Sequence, residues 1–207
     1  MIKHIAIVSL SSGTIGEKFA AHEVEIGIKR LQDFGMTVQF MPHAMKGIEY
    51  VKNHPAERAA DLLQALRDPK IDMILCAIGG DDTYRMLPYL FEHHELADAV
   101  SNKVFLGFSD TTINHFMFHK VGMKTFYGQS FLADVCELDR DMLPYTKKYF
   151  EELIRTGTIK EVRPSGIWYE GRAEYGIDQV GSLPQDSVPP PSVISSDTKE
   201  VPSAIPS

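Results

Sequence analysis

Short, unbroken apolar runs recur along this chain between stretches of helical periodicity, and that rhythm leaves few folds open. Ile5 to Leu10, Thr37 to Met41, Asp72 to Ile78, Lys103 to Phe108 and Lys124 to Tyr127 each have the length of a strand. Continuous rather than alternating apolar strands belong to parallel sheets covered by helices on both faces. Between them, Ala21, Val24, Ile28 and Leu31 form one helical stripe that stops at Gly35. Pro55 stands at the first position of a helix buried through Ala59, Leu62, Leu63 and Leu66. The third crossover holds Thr83 to Leu87 and then Pro88, and a last helix, Pro144 to Arg155, carries Tyr149, Phe150, Leu153 and Ile154. Five strands with right-handed crossovers predict an α/β fold with an open, mostly parallel, doubly wound sheet.

Bulk properties exclude several functions. The chain has 207 residues, 43% of them hydrophobic, enough to bury a full core. Its formal charge of −7, without a Lys/Arg cluster, argues against a nucleic-acid partner. The run Ile5-Ala6-Ile7-Val8 is too short for a signal-peptide core or a membrane span, so no membrane partner and a cytoplasmic location are expected. Cys76 and Cys136 form neither a CxxC pair nor a metal-type spacing, and no metal or other cofactor is expected. After Gly181 the chain turns to proline and serine without any aromatic residue, which predicts a disordered tail over residues 182–207.

In such a sheet, ligands gather beyond the carboxyl ends of the strands. The loop after the first strand, Ser11-Ser12-Gly13-Thr14-Ile15-Gly16, lacks the Lys-Ser/Thr ending of a phosphate-binding loop and reads as a turn into a helix. The loop after the third, Ile78-Gly79-Gly80-Asp81-Asp82-Thr83, admits two readings. Paired glycines let backbone approach a ligand and offer N–H groups to an oxyanion; alternatively they make a tight turn, with Asp81 or Asp82 capping the next helix. Adjacent carboxylates with no nearby histidine support a metal or acid/base pair poorly. After the fourth strand, Gly107-Phe108-Ser109-Asp110 puts a serine at a strand-to-helix corner, where its hydroxyl stands clear of the sheet and the Asp110 N–H faces a developing oxyanion. A serine ahead of Asp-Thr-Thr is also a plausible helix cap. His115 and His119 share a helical face roughly opposite Ile113, Phe116, Met117 and Val121, and a helix leaving the corner carries them away from the serine, so they read as packed or surface residues.

These loops together resemble the LD-carboxypeptidase family, which comprises murein tetrapeptide carboxypeptidases and the related microcin C immunity proteins. The resemblance rests on Ile78-Gly79-Gly80-Asp81 with Leu87-Pro88, on Gly107-Phe108-Ser109-Asp110-Thr111-Thr112, and on Thr125-Phe126-Tyr127-Gly128. It implies an N-terminal nucleophile domain over residues 1–165 and the start of an interdomain linker over 166–181. It further implies a serine hydrolase acting on a small peptide or a peptidyl or aminoacyl nucleotide, with Ser109 as nucleophile and the Asp110 N–H and a Gly79 or Gly80 N–H as oxyanion donors. The family places the Glu and His of its triad in a C-terminal domain, and no residue here matches either motif; Glu170 and Glu174 fall in the linker-like segment. The expected protein is therefore a truncated, impaired peptidase. The alternatives are a non-catalytic peptide- or nucleotide-binding domain and a subunit completed by a second chain. Surface prepared for a missing domain would favour self-association, so a homodimer is an expected state.

Overall fold

The computed structural model describes residues 1–184 and 187–188. A five-stranded sheet is formed by β1 (His4–Val8), β2 (Thr37–Phe40), β3 (Met73–Cys76), β4 (Val104–Gly107) and β5 (Phe126–Tyr127) in the order β2-β1-β3-β4-β5. Every neighbouring pair is parallel, as the apolar runs require. The strands stop short of the apolar runs at their carboxyl ends because the residues beyond them bond to neighbouring loops. The Ala77 carbonyl accepts from the Leu132 N–H at 2.8 Å, and the Ser12 N–H donates to Gly79 O at 3.2 Å. At β5, Lys124 and Thr125 lie outside the ladder, and the Thr125 hydroxyl turns to His115.

Side chains alternate strictly between two cores, as pleated strands dictate. Ile5, Ile7, Met73, Leu75 and Leu106 pack on one face, under α1 (Ala21–Asp33) and α7 (Pro144–Thr156), through Val24, Leu31, Phe150 and Leu153. Ala6, Val8, Ile74, Cys76 and Phe105 pack on the other, under α3 (Pro55–Arg67) and α6 (Thr112–Lys120), through Leu62, Leu66, Met117 and Phe118. The central strands β1 (from Ile5), β3 and β4 are buried on both sides, whereas the edge strands β2 and β5 expose Thr37, Gln39 and Tyr127; burying one aliphatic side chain is worth about 1.5–3 kcal/mol. Shorter helices α2 (Ile48–Asn53), α4 (Leu87–Phe91) and α5 (Glu95–Ala99) complete the layers. Prolines open α3, α4 and α7 within their first turn, and Gly157, at φ 75°, closes α7 with its N–H on Leu153 O.

One expectation about the packing needs correction. The buried stripe of α6 is Asn114, Met117 and Phe118, while Phe116 is 65% exposed and Ile113 and Val121 are half-buried. A buried amide reads as polar in sequence; Asn114 turns inward because the Thr83 hydroxyl lies 3.1 Å from its Oδ1. Part of the segment 182–207 is among the described residues. There β6 (Trp168–Tyr169) pairs antiparallel with β7 (Ser187–Val188), and Arg172 bonds the Ser182 hydroxyl at 2.8 Å. The rest of that stretch, 185–186 and 189–207, lies outside the described residues. No helix among the described residues is long and apolar enough to cross a membrane.

Candidate active site

The strand order reverses direction between β1 and β3, which opens a crevice at their carboxyl ends. Three loops meet there. The one after β4 carries Ser109 in the left-handed region, at φ 63°, between extended Phe108 and the tight helical turn Ser109–Thr111. A non-glycine residue held there costs on the order of 1–3 kcal/mol and persists only where its surroundings fix it. Here the Thr111 hydroxyl donates to Phe108 O at 2.7 Å and the Thr112 hydroxyl to Ser109 O at 2.5 Å. The Ser109 N–H donates to the Tyr127 hydroxyl at 3.2 Å. This is the strained strand-to-helix corner that presents a serine Oγ outward.

Gly79 backs directly onto the serine. A Cβ added there would stand 2.7 Å from Ser109 Cβ, 2.8 Å from its Oγ and 3.4 Å from the Asp110 nitrogen, so only glycine admits this approach. Gly80 instead abuts Ser11 and Ser12 of the β1 loop. The glycine pair thus wedges between the other two loops.

Asp110 ties all three together. Its Oδ2 accepts from the Ser11 hydroxyl in a short hydrogen bond and from the Thr83 N–H at 2.9 Å. The Thr83 hydroxyl donates to Leu10 O at 2.9 Å. Beneath them Arg58, 1% exposed, extends Nη1 to Leu10 O at 3.1 Å, Ser11 O at 3.2 Å and Asp82 Oδ1 at 2.7 Å. The second Asp82 oxygen meets Arg85 at 3.2 Å. Asp82 therefore makes no side-chain cap on the turn that follows it, and Asp81 is exposed. Neither capping nor acid/base pairing describes these two carboxylates; one of them is a counter-ion for a buried arginine.

His115 is spoken for on both sides of its ring. Nε2 faces Gly107 O at 3.1 Å, an acceptor, so Nε2 carries the proton; Nδ1 then accepts from the Thr125 hydroxyl at 2.8 Å. Burial lowers its pKa, which keeps the ring neutral. It packs edge-on against Phe105, with ring centroids 5.2 Å apart, while His119 is exposed. Among the described residues no histidine hydrogen-bonds the Ser109 hydroxyl, and no three His, Cys, Asp or Glu side chains gather as a metal site.

The sequence profile of the LD-carboxypeptidase N-terminal domain matches residues 5–128, which include all three loops. The chain belongs to the LD-carboxypeptidase family. It is 30% identical over 152 residues to a probable murein peptide carboxypeptidase of Bacillus subtilis, covering 70% of this chain and 45% of that protein. Its structure is similar to that of an MccF-like protein from Streptococcus pneumoniae in complex with AMP, with a TM-score of 0.88 and 59% identity over 89% of this chain and 54% of that one. It is also similar to MccF in complex with glutamyl sulfamoyl guanosine, with a TM-score of 0.63 and 26% identity over 82% of this chain and 48% of that one. The chain spans about half the length of these relatives.

Several residues that build this crevice escape a reading of the sequence by itself. Ser11, Thr83, Asn114 and Thr112 act through single hydroxyl, amide and backbone hydrogen bonds that leave no pattern.

Proposed function

We propose that this chain carries the nucleophile half of a serine-type LD-carboxypeptidase-like peptidase. Ser109 Oγ attacks the substrate carbonyl carbon, and the resulting oxyanion is met by the Asp110 N–H and by a Gly79 or Gly80 N–H. The observation that carries this reading is the strained corner itself: φ 63° at Ser109 with Gly79 pressed against its side chain. A structural helix cap would use the serine hydroxyl on the helix backbone, and no such bond is made.

The substrates are small peptides with an L,D linkage or peptidyl and aminoacyl nucleotides. The names of the relatives support this class: one is a murein peptide carboxypeptidase, and two similar structures hold AMP and glutamyl sulfamoyl guanosine. The proton leaving Ser109 needs a base that the described residues do not hold at hydrogen-bond distance, and loss of a triad member costs several orders of magnitude in rate. Residues 1–207 by themselves therefore hydrolyse slowly until a base from outside them completes the site, and they self-associate through exposed apolar side chains.

Hydrolysis of an L,D-tetrapeptide and of a glutamyl adenylate analogue by this chain, by its Ser109→Ala variant, and by each mixed with a separately expressed C-terminal half of the pneumococcal relative tests the reading. Serine-dependent turnover that rises on mixing is expected. Turnover equal in both versions, or saturable binding without serine-dependent turnover in any mixture, would replace the peptidase with a binding domain.

A further inference from the structure

A second site lies on the α1 side of the sheet, where a cavity of about 410 Å³ opens between the first turn of α1, the π-helical turn Phe131–Val135 and the segment around Tyr169–Arg172. Its floor is apolar: Ile78, Leu132, Leu138 and Leu143. Aromatic rings of Phe19, Tyr169 and Tyr175 stand at its margin.

One side chain in this wall has no structural employment. Glu23 is 7% exposed, and its carboxylate makes no hydrogen bond among the described residues. It is not half of a capping box, since Ala20 occupies the N-cap of α1 and no side chain caps that end. Adjacent charges are already committed. Arg172, the one cation among the described lining residues, pairs with Glu137 at 2.6 Å and with Ser182 at 2.8 Å. His22 turns to Tyr175 O at 3.0 Å. Glu170, also in the wall, is exposed to water and needs no partner.

We propose that this cavity is a binding site for an organic monoammonium group on an apolar body, with the Glu23 carboxylate as its counter-ion. Glu23 lines the cavity with no hydrogen-bond partner among the described residues, which leaves its carboxylate free to accept from a ligand there. An ammonium group supplies both the charge and the N–H donors, an apolar stem fills the floor, and the aromatic rim favours a cation further. Burial raises the Glu23 pKa, with Glu137 adding to the effect and His22 opposing it, which is the state a bound cation relieves. Ile78 lines the cavity and immediately precedes Gly79, so the site lies beside the serine corner, yet it stands whether or not Ser109 is a nucleophile.

Calorimetry with phenethylammonium, and with 2-phenylethanol as the neutral isostere, tests the site on the full chain. Saturable binding of the ammonium is expected, weakened about 10- to 100-fold by Glu23→Gln, as loss of a charged hydrogen bond implies. The alcohol should bind weakly and equally to both versions. Carbon-13 NMR of the Glu23 carboxyl in the unsubstituted chain gives an independent readout, and saturation with phenethylammonium should lower its titration midpoint. Absence of saturable binding, equal affinity in Glu23→Gln, or an unmoved midpoint at saturation would overturn the proposal.

Discussion

The Cα of Gly79 lies so close to the side chain of Ser109 that a methyl group on it would stand 2.8 Å from the hydroxyl oxygen. Gly79→Ala should therefore displace the serine or its turn. Overpacking of this kind costs about 1–3 kcal/mol. The variant should unfold at lower temperature and lose reaction with a fluorophosphonate; a wild-type labelling rate would show that the contact does not govern the serine.

Backbone strain at Ser109 makes a separate prediction. Glycine occupies the left-handed region without penalty, whereas alanine does not, so Ser109→Gly should be more stable than Ser109→Ala by about 1 kcal/mol in spite of the flexibility glycine gives the unfolded chain. Urea denaturation compares the two directly, and a more stable alanine variant would contradict the strained corner.

Asp110→Asn removes a carboxylate that accepts from both Ser11 and the Thr83 N–H. One of these charge-assisted bonds weakens and the amide adds donors where acceptors are needed, for a loss of about 1–3 kcal/mol. Amide hydrogen exchange at Thr83 should accelerate in the variant, reporting release of the β3 loop from the β4 corner. Unchanged protection would mean that the loops hold together without this tie.

His115 and Asp134 should pull stability in opposite directions with pH. Burial depresses the folded pKa of His115 below its ordinary value of 6.5, so its contribution is present above that pH and is lost as acid charges the ring in the unfolded chain first. Burial raises Asp134 from 3.8 to about 6, so its contribution is greatest below 3.8 and is lost as pH rises to about 6. Asp134→Asn should accordingly gain stability over the parent as pH rises from 4 to above 6, while keeping its bond from the Ser130 N–H. Thermal unfolding across that range checks the sign.

Much of this architecture is legible in the sequence because buried parallel strands admit little besides continuous apolar residues. Ile5 to Val8 and Met73 to Cys76 fill both cores alternately, and any polar residue among them would be stranded. The serine corner is legible for a related reason: a small residue between a buried strand and a helix has few other uses. Asn114, Arg58 and Thr83 were hidden because each is a polar group made burial-compatible by one particular partner, and partners 31 or 48 residues away leave no local trace. Asp110 was legible through its N–H alone, whereas its carboxylate does the joining.

Peptide mapping after exposure to a fluorophosphonate tests the nucleophile most directly. The account predicts a slow, single adduct on the peptide containing Ser109, absent in Ser109→Ala. Labelling of equal extent in that variant, or an adduct confined to another serine, would contradict it.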